Sequence, residues 1–203
     1  MTPEEIRKLF KEREPLRQRT IVIIDFGNVE KWKHSLRWEV GIQELARLVK
    51  NFSIGKVFLR RFYYGADFGN HDSCTVMTPW SAEILNRAKI NGFEVVAKRV
   101  KYIHSTNNVH GFEKKCDLDV EMTIDLIQER DNYDTIILFS GDGDLVRALE
   151  YLNKEYGKKS IVMSARGHVG REVIDAKKSG IISDILFAED FEYRLNMRRF
   201  ASR

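Results

Sequence analysis

Ile136-Ile-Leu-Phe-Ser-Gly-Asp-Gly-Asp-Leu145 is the stretch that decides the fold. Its apolar run reads as a buried strand, and two carboxylates, Asp142 and Asp144, follow where that strand ends. Near the start, Ile21-Val-Ile-Ile-Asp-Phe-Gly-Asn28 repeats the pattern, with Asp25 closing a short apolar run ahead of a glycine and an amide. In an open α/β sheet, ligands bind beyond the carboxyl ends of the strands. Two distant segments therefore direct acids toward one end of one sheet. A divalent cation is the simplest physical reason to gather them there.

Outward from these two strands, apolar runs and helical stripes alternate. Further strands are expected over 56–64, 93–103, 159–164 and 184–187, and helices over about 38–50, 80–91, 117–129, 145–156 and 169–178. This alternation argues for a mainly parallel sheet covered on both faces. The loop over 105–115, with its asparagines and Gly111, is expected to be irregular. A short amphipathic helix is expected over 3–18, where Pro3, Glu4 and Glu5 open an apolar stripe. The domain organisation expected is an N-terminal helix over 1–19, one main domain over 20–190 and a basic tail over 191–203.

Composition excludes several classes. The 203 residues are 43% hydrophobic and 32% charged, ordinary for one folded domain. No apolar run approaches the roughly 20 residues that span a bilayer, and charged residues stand where a signal peptide would be apolar, so a cytoplasmic protein is expected. Cys74 and Cys116 form no CxxC pair and are read as free thiols. His34, His71, His104, His110 and His168 show no metal-ligand spacing. Neither a serine nucleophile elbow nor a GxxxxGK[ST] loop occurs. Hard oxygen donors without histidine or cysteine suit Mg²⁺ or Mn²⁺.

A third acidic group lies in Asp117-Leu-Asp-Val-Glu-Met-Thr-Ile-Asp125. Acids at a helix start are favoured by the dipole, by about 0.3 to 1 kcal/mol, which explains Asp117 or Asp119 alone. Asp117, Glu121 and Asp125 repeat at four-residue spacing, where like charges repel, so a cation or solvent must relieve them. The net charge of +4 is modest, but basic clusters flank the acidic strand ends. A basic surround to an acidic pocket suits a phosphodiester substrate whose flanking phosphates need neutralising.

Asp25-Phe-Gly-Asn28, Asp117-Leu-Asp-Val-Glu-Met with Asp125, and Ser140-Gly-Asp-Gly-Asp144 resemble, in order, the three motifs of NYN domains. These are PIN-like ribonucleases, and this chain is most similar to their LabA-like branch, from about Thr20 to Asp190. Phe26 stands where the family usually carries glycine, and Leu145 where phenylalanine is common. The resemblance implies a Rossmann-like three-layer α/β sandwich and a metal-dependent endoribonuclease. It makes Asp25, Asn28, Asp119, Asp142 and Asp144 the catalytic set and Ser140 the small hydroxyl residue before the glycine. Asp25, Asp117, Asp119, Asp142 and Asp144 become the candidate ligands of Mg²⁺ or Mn²⁺, with Asp119 favoured over Asp117. Asp125 is an alternate ligand.

Lys31, Lys33, Arg60, Lys98, Lys115 and Arg166 are candidates for RNA phosphates, and Trp32, Tyr63 and Tyr64 for base stacking. The expected partner is RNA, with no membrane and with a homodimer as the assembly considered. The alternative is a non-catalytic RNA-binding or regulatory module that retains the metal pocket. A Toprim site would want a glutamate where Asp25 ends the first strand. A haloacid-dehalogenase-type phosphatase would want an acid where Gly27 stands.

Overall fold

The computed structural model describes residues 2, 4–5, 8, 19–52, 57–69, 75–104 and 112–197. Most of the expected helix over 3–18, the loop over 105–111, Cys74, His71, His110 and the tail from 198 onward lie outside them. Among the described residues no helix is long and apolar enough to cross a membrane.

Six parallel strands build the central sheet: β1 (Thr20–Asp25), β2 (Val57–Ala66), β3 (Glu94–Arg99), β6 (Thr135–Phe139), β7 (Lys159–Ser164) and β8 (Asp184–Phe187). Their spatial order is β3-β2-β1-β6-β7-β8. The chain winds outward from β1 to one edge, then restarts at β6 on the other side. The two halves therefore part between β1 and β6, the switch point where open α/β sheets form their ligand crevice.

β1 from Ile21 to Ile24 and β6 from Ile136 to Phe139 are apolar because both faces are covered. Ile21, Ile23, Ile136 and Leu138 enter one core, and Val22, Ile24, Ile137 and Phe139 enter the other. The second core is closed by α3 (Ile42–Phe52) and α4 (Pro79–Ile90), reached after two single-turn helices, α1 (Phe26–Val29) and α2 (Lys33–Leu36). In α3, Ile42, Leu45, Ala46, Leu48 and Val49 recur at helical spacing and are all buried. Thr78 caps α4, accepting from Ser81 N, Pro79 opens it, and Gly92 ends it at φ +81°.

The first core is closed by α5 (Asp119–Gln128), α6 (Val146–Tyr156) and α7 (Arg171–Lys178). After β8, a 3₁₀ turn and α8 (Glu192–Leu195) return Phe191 and Leu195 to the core of α3 and α4. The fold is the expected α/β sandwich with helices on both faces of a parallel sheet.

The expected strand over 93–103 needs correction. It breaks at Val100, whose N–H still reaches Ala66 O at 3.0 Å, and the chain leaves the sheet beyond its carboxyl end. Lys101–His104 is β4, paired antiparallel with β5 (Phe112–Lys115) in a separate two-stranded arm. Part of the expected irregular loop is thus a strand. Asp67 anchors the arm, accepting from Tyr102 OH at 2.6 Å and pairing with Lys114 Nζ at 2.6 Å.

Candidate metal centre

The acids meet at the switch point because three chain segments end there. β1 delivers Asp25, the loop after β6 delivers Asp142 and Asp144, and the first turn of α5 delivers Asp119. One carboxylate oxygen each from Asp119, Asp142 and Asp144 lies within 4.8 Å of the others. Three hard oxygen donors at that separation fit a small divalent cation such as Mg²⁺ or Mn²⁺.

Asp25 is not one of these three acids but lies near enough for its charge and theirs to act on one another. Its Oδ1 accepts from Asn28 N at 3.1 Å, capping the short α1, and its Oδ2 accepts from Ser140 Oγ at 2.9 Å. Burial pushes its pKa up, and the Asp142 charge adds to that, while the Ser140 and Asn28 hydrogen bonds and the Lys31 charge oppose it. Asp119 is displaced further, to about 7, first by burial and then by the charges of Asp117, Asp142 and Asp25. Burial and the neighbouring carboxylates thus both disfavour the charged form of these acids, and a bound cation would oppose both effects.

Asn28 commits its side-chain oxygen to the scaffold of the site. Its Oδ1 accepts from Gly141 N at 3.1 Å and from Trp32 Nε1 at 2.9 Å, so it ties the loop after β6 to the turn after β1. Phe26, in the place of the family's glycine, packs on Phe62 with ring centroids 4.7 Å apart and leaves this bridge intact. Gly141 is required by space: a Cβ there would lie 1.9 Å from His168 O. The backbone of the 166–170 turn closes over it, with Gly170 N donating to Gly141 O at 2.8 Å.

Asp117 stands outside the trio. Its Oδ1 accepts from Asp119 N at 3.0 Å, which holds its pKa below the usual carboxylate range, and its carbonyl accepts from Lys98 Nζ at 2.9 Å. Asp125 is turned elsewhere, to Tyr63 OH at 2.6 Å and to Arg61 Nη1 at 3.1 Å. Arg61, together with Lys98 on Glu121 at 2.7 Å, supplies positive charge that offsets the acidic stripe on α5.

The basic candidates separate. Lys31 lies near enough to lower the pKa of Asp25, and Lys115 does the same for Asp117. Lys33 acts on Glu30, in the turn that follows Asn28. Lys98 is held by Asp117 and Glu121. Arg166 is committed to Asp190 at 3.0 and 3.2 Å and stacks on Phe187. Arg60 pairs in register with Val22, three residues before Asp25, and its guanidinium lies by Phe93, the residue that precedes β3.

The aromatic candidates are corrected: Trp32 and Tyr63 are fully buried and Tyr64 nearly so, so none presents a face to a base. They are core residues whose polar atoms hold the site's scaffold. The sequence reading also missed Arg61, 64 residues from its partner Asp125, and Asp67, whose role depends on an arm that sequence did not reveal.

Comparison with known proteins agrees with this architecture. The solved structure of a protein of unknown function from Vibrio parahaemolyticus superposes with a TM-score of 0.63 at 22% identity, covering 88% of this chain and 97% of that one; it supports the fold. The Low amplitude and bright protein LabA of Synechococcus elongatus is 36% identical over 85 residues, 42% of this chain. The matched segment spans 45% of that relative's length. A profile described as NYN domain matches residues 19–184, which is most of the chain and covers the central sheet up to the first residue of β8. The chain belongs to the NYN-domain family, on its LabA-like branch.

Proposed function

We propose that this chain is a metal-dependent endoribonuclease that hydrolyses RNA phosphodiester bonds at the carboxyl end of its sheet. The observation that carries the proposal is the convergence of Asp119, Asp142 and Asp144, from two separate elements, within 4.8 Å at the switch point. Those three residues would hold Mg²⁺ or Mn²⁺, with Asp25 close by. When bound, such an ion lowers the pKa of a water and offsets charge developing on the phosphodiester oxygens.

The chain's own residues supply position. Ser140 and Asn28 fix Asp25 and the loop carrying Asp142, so the carboxylates need little rearrangement on binding. Lys31 and Lys115, whose charges act on Asp25 and Asp117, are proposed to neutralise phosphates flanking the scissile one, with Lys33 acting on Glu30. Neutral Asn28 orients the site without adding charge. The proposed setting is the cytoplasm.

The test is cleavage of labelled single-stranded and hairpin RNAs with Mn²⁺, Mg²⁺ or EDTA, comparing the native chain with Asp142→Asn. Cleavage that needs the metal and vanishes in the variant is expected. Undiminished activity in Asp142→Asn, or in EDTA, would refute the assignment. RNA binding with no turnover under either metal would instead favour a regulatory module.

A further inference from the structure

The far edge of the sheet carries features the metal centre does not use. β3 is the terminal strand, so among the described residues no strand pairs with its outer side. Val100 donates its N–H inward to Ala66 O. Backbone groups alternate sides along a strand, so Val95 and Ala97 aim theirs outward, an open template for another strand. Beside this edge α5 exposes Val120 and Ile124, 64% and 46% accessible, one helical turn apart. A groove of about 320 Å³ runs between helix and edge, lined by Arg61, Glu94, Val96, Glu121 and Ile124.

We propose that β3 and α5 form the interface of a two-fold homodimer, with β3 of two copies pairing antiparallel about Val96 so that their sheets join. The edge is complementary to itself, which is why a second copy is the occupant. Residues facing each other across antiparallel strands must share a face of the sheet. Centring the pair on Val96 sets Val96 against Val96, Val95 against Ala97 and Glu94 against Lys98.

Glu94 and Lys98 both lie on the α5 side, since Glu94 approaches Arg61 at 3.6 Å and Lys98 approaches Glu121 at 2.7 Å. Across the axis the charges then run Arg61, Glu94, Lys98, Glu121, alternating in sign, and the two-fold repeats the row. A shift of one copy by two residues loses this pairing. The outward groups of Val95 and Ala97 exchange hydrogen bonds in the same register, and Val120 and Ile124 of the two copies cover Val96.

The experiment is sedimentation equilibrium of the full chain from about 1 to about 100 µM, a range that brackets ordinary dimer affinities. A species of twice 23.7 kDa is expected, and Ala97→Pro, which removes an outward N–H, should return it to monomer. A second measurement fixes the register. With Cys74 and Cys116 replaced by serine, Val96→Cys should form an intermolecular disulfide under mild oxidation, because non-hydrogen-bonded antiparallel partners sit about 4.5 Å apart at Cα, within disulfide reach. Val95→Cys, which faces Ala97, should not. The proposal is overturned by a monomer throughout the range, by a dimer that survives Ala97→Pro, or by equal cross-linking of both cysteine variants. A monomeric chain whose β3 edge binds a different polypeptide overturns it as well.

Discussion

Ser140 Oγ donates a 2.9 Å hydrogen bond to Asp25 Oδ2 while accepting from Asp142 N at 3.2 Å. A single buried hydroxyl thus joins the end of β1, the end of β6 and the first acid of the loop beyond. Ser140→Ala leaves Asp25 with one donor fewer in a buried setting, a loss of about 1 to 3 kcal/mol. Chemical denaturation in EDTA should show a destabilisation of that order. The thermal upshift produced by Mn²⁺ should also shrink, since Asp142 loses the bond that orients it. An unchanged midpoint together with an unchanged upshift would show that the hydroxyl organises nothing.

Asn28 stands at the same junction but has a different task. Its Oδ1 accepts from both Gly141 N and Trp32 Nε1, and the tryptophan is fully buried. Asn28→Ala orphans two donors at once and is expected to cost about 2 to 4 kcal/mol. Asn28→Asp keeps the acceptor and adds a charge next to the acids. It should therefore recover most of the stability at high Mn²⁺ and little of it in EDTA. Equal stabilities of Asn28→Ala and the native chain would remove the amide's bridging role.

Asp119 shows which electrostatic effect wins at the helix start. An acid in the first turn of α5 gains from the dipole, by up to about 1 kcal/mol. Burial and the surrounding carboxylates nevertheless push its pKa up to about 7, so its charge is disfavoured on balance. Asp119→Asn should stabilise the metal-free protein, by about 1 kcal/mol or about 2 to 4 °C in Tm for a domain of this size. The same variant should lose the Tm rise that Mn²⁺ gives the native chain. Scanning calorimetry in EDTA and in Mn²⁺ measures both; a lower Tm in EDTA would contradict the electrostatic argument.

What sequence could reveal followed from burial. β1 and β6 are covered on both faces and carry the apolar runs 21–24 and 136–139, so their ends, and with them Asp25, Asp142 and Asp144, were legible. The break at Val100 was not, because Val-Lys-Tyr-Ile keeps its strand-favouring residues through the point where the chain leaves the sheet. Asp119 and Asp117 are two residues apart at a helix start, and only the three-dimensional turn puts one in the trio and the other on its backbone N–H. Tyr63 reads as an aromatic near a site, yet it is buried and its hydroxyl is spent on Asp125, a contact across 62 residues. Arg166 likewise looks available until Asp190 is folded against it.

Asp67 is the residue on which the two-stranded arm depends. Burial acts to raise its pKa, but Lys114, Tyr102 and the Gly69 N–H together hold it below the ordinary 3.8. A depressed carboxylate contributes stability above its unfolded pKa and loses it as the pH falls through the folded value. The arm's attachment should therefore be constant from pH 5 to 8 and weaken only below 3.8, followed through the NMR shifts of Tyr102 and Lys114. Asp67→Asn keeps the shape but gives up two charge-assisted bonds, about 1 to 3 kcal/mol of local docking. Amide exchange over 101–104 and 112–115 should rise by about tenfold or more while β1 and β6 stay protected. Exchange rising equally in the central strands would mean that Asp67 supports the whole domain, and unchanged exchange in the arm would mean that the aromatic contact of His104 with Phe112 holds it instead.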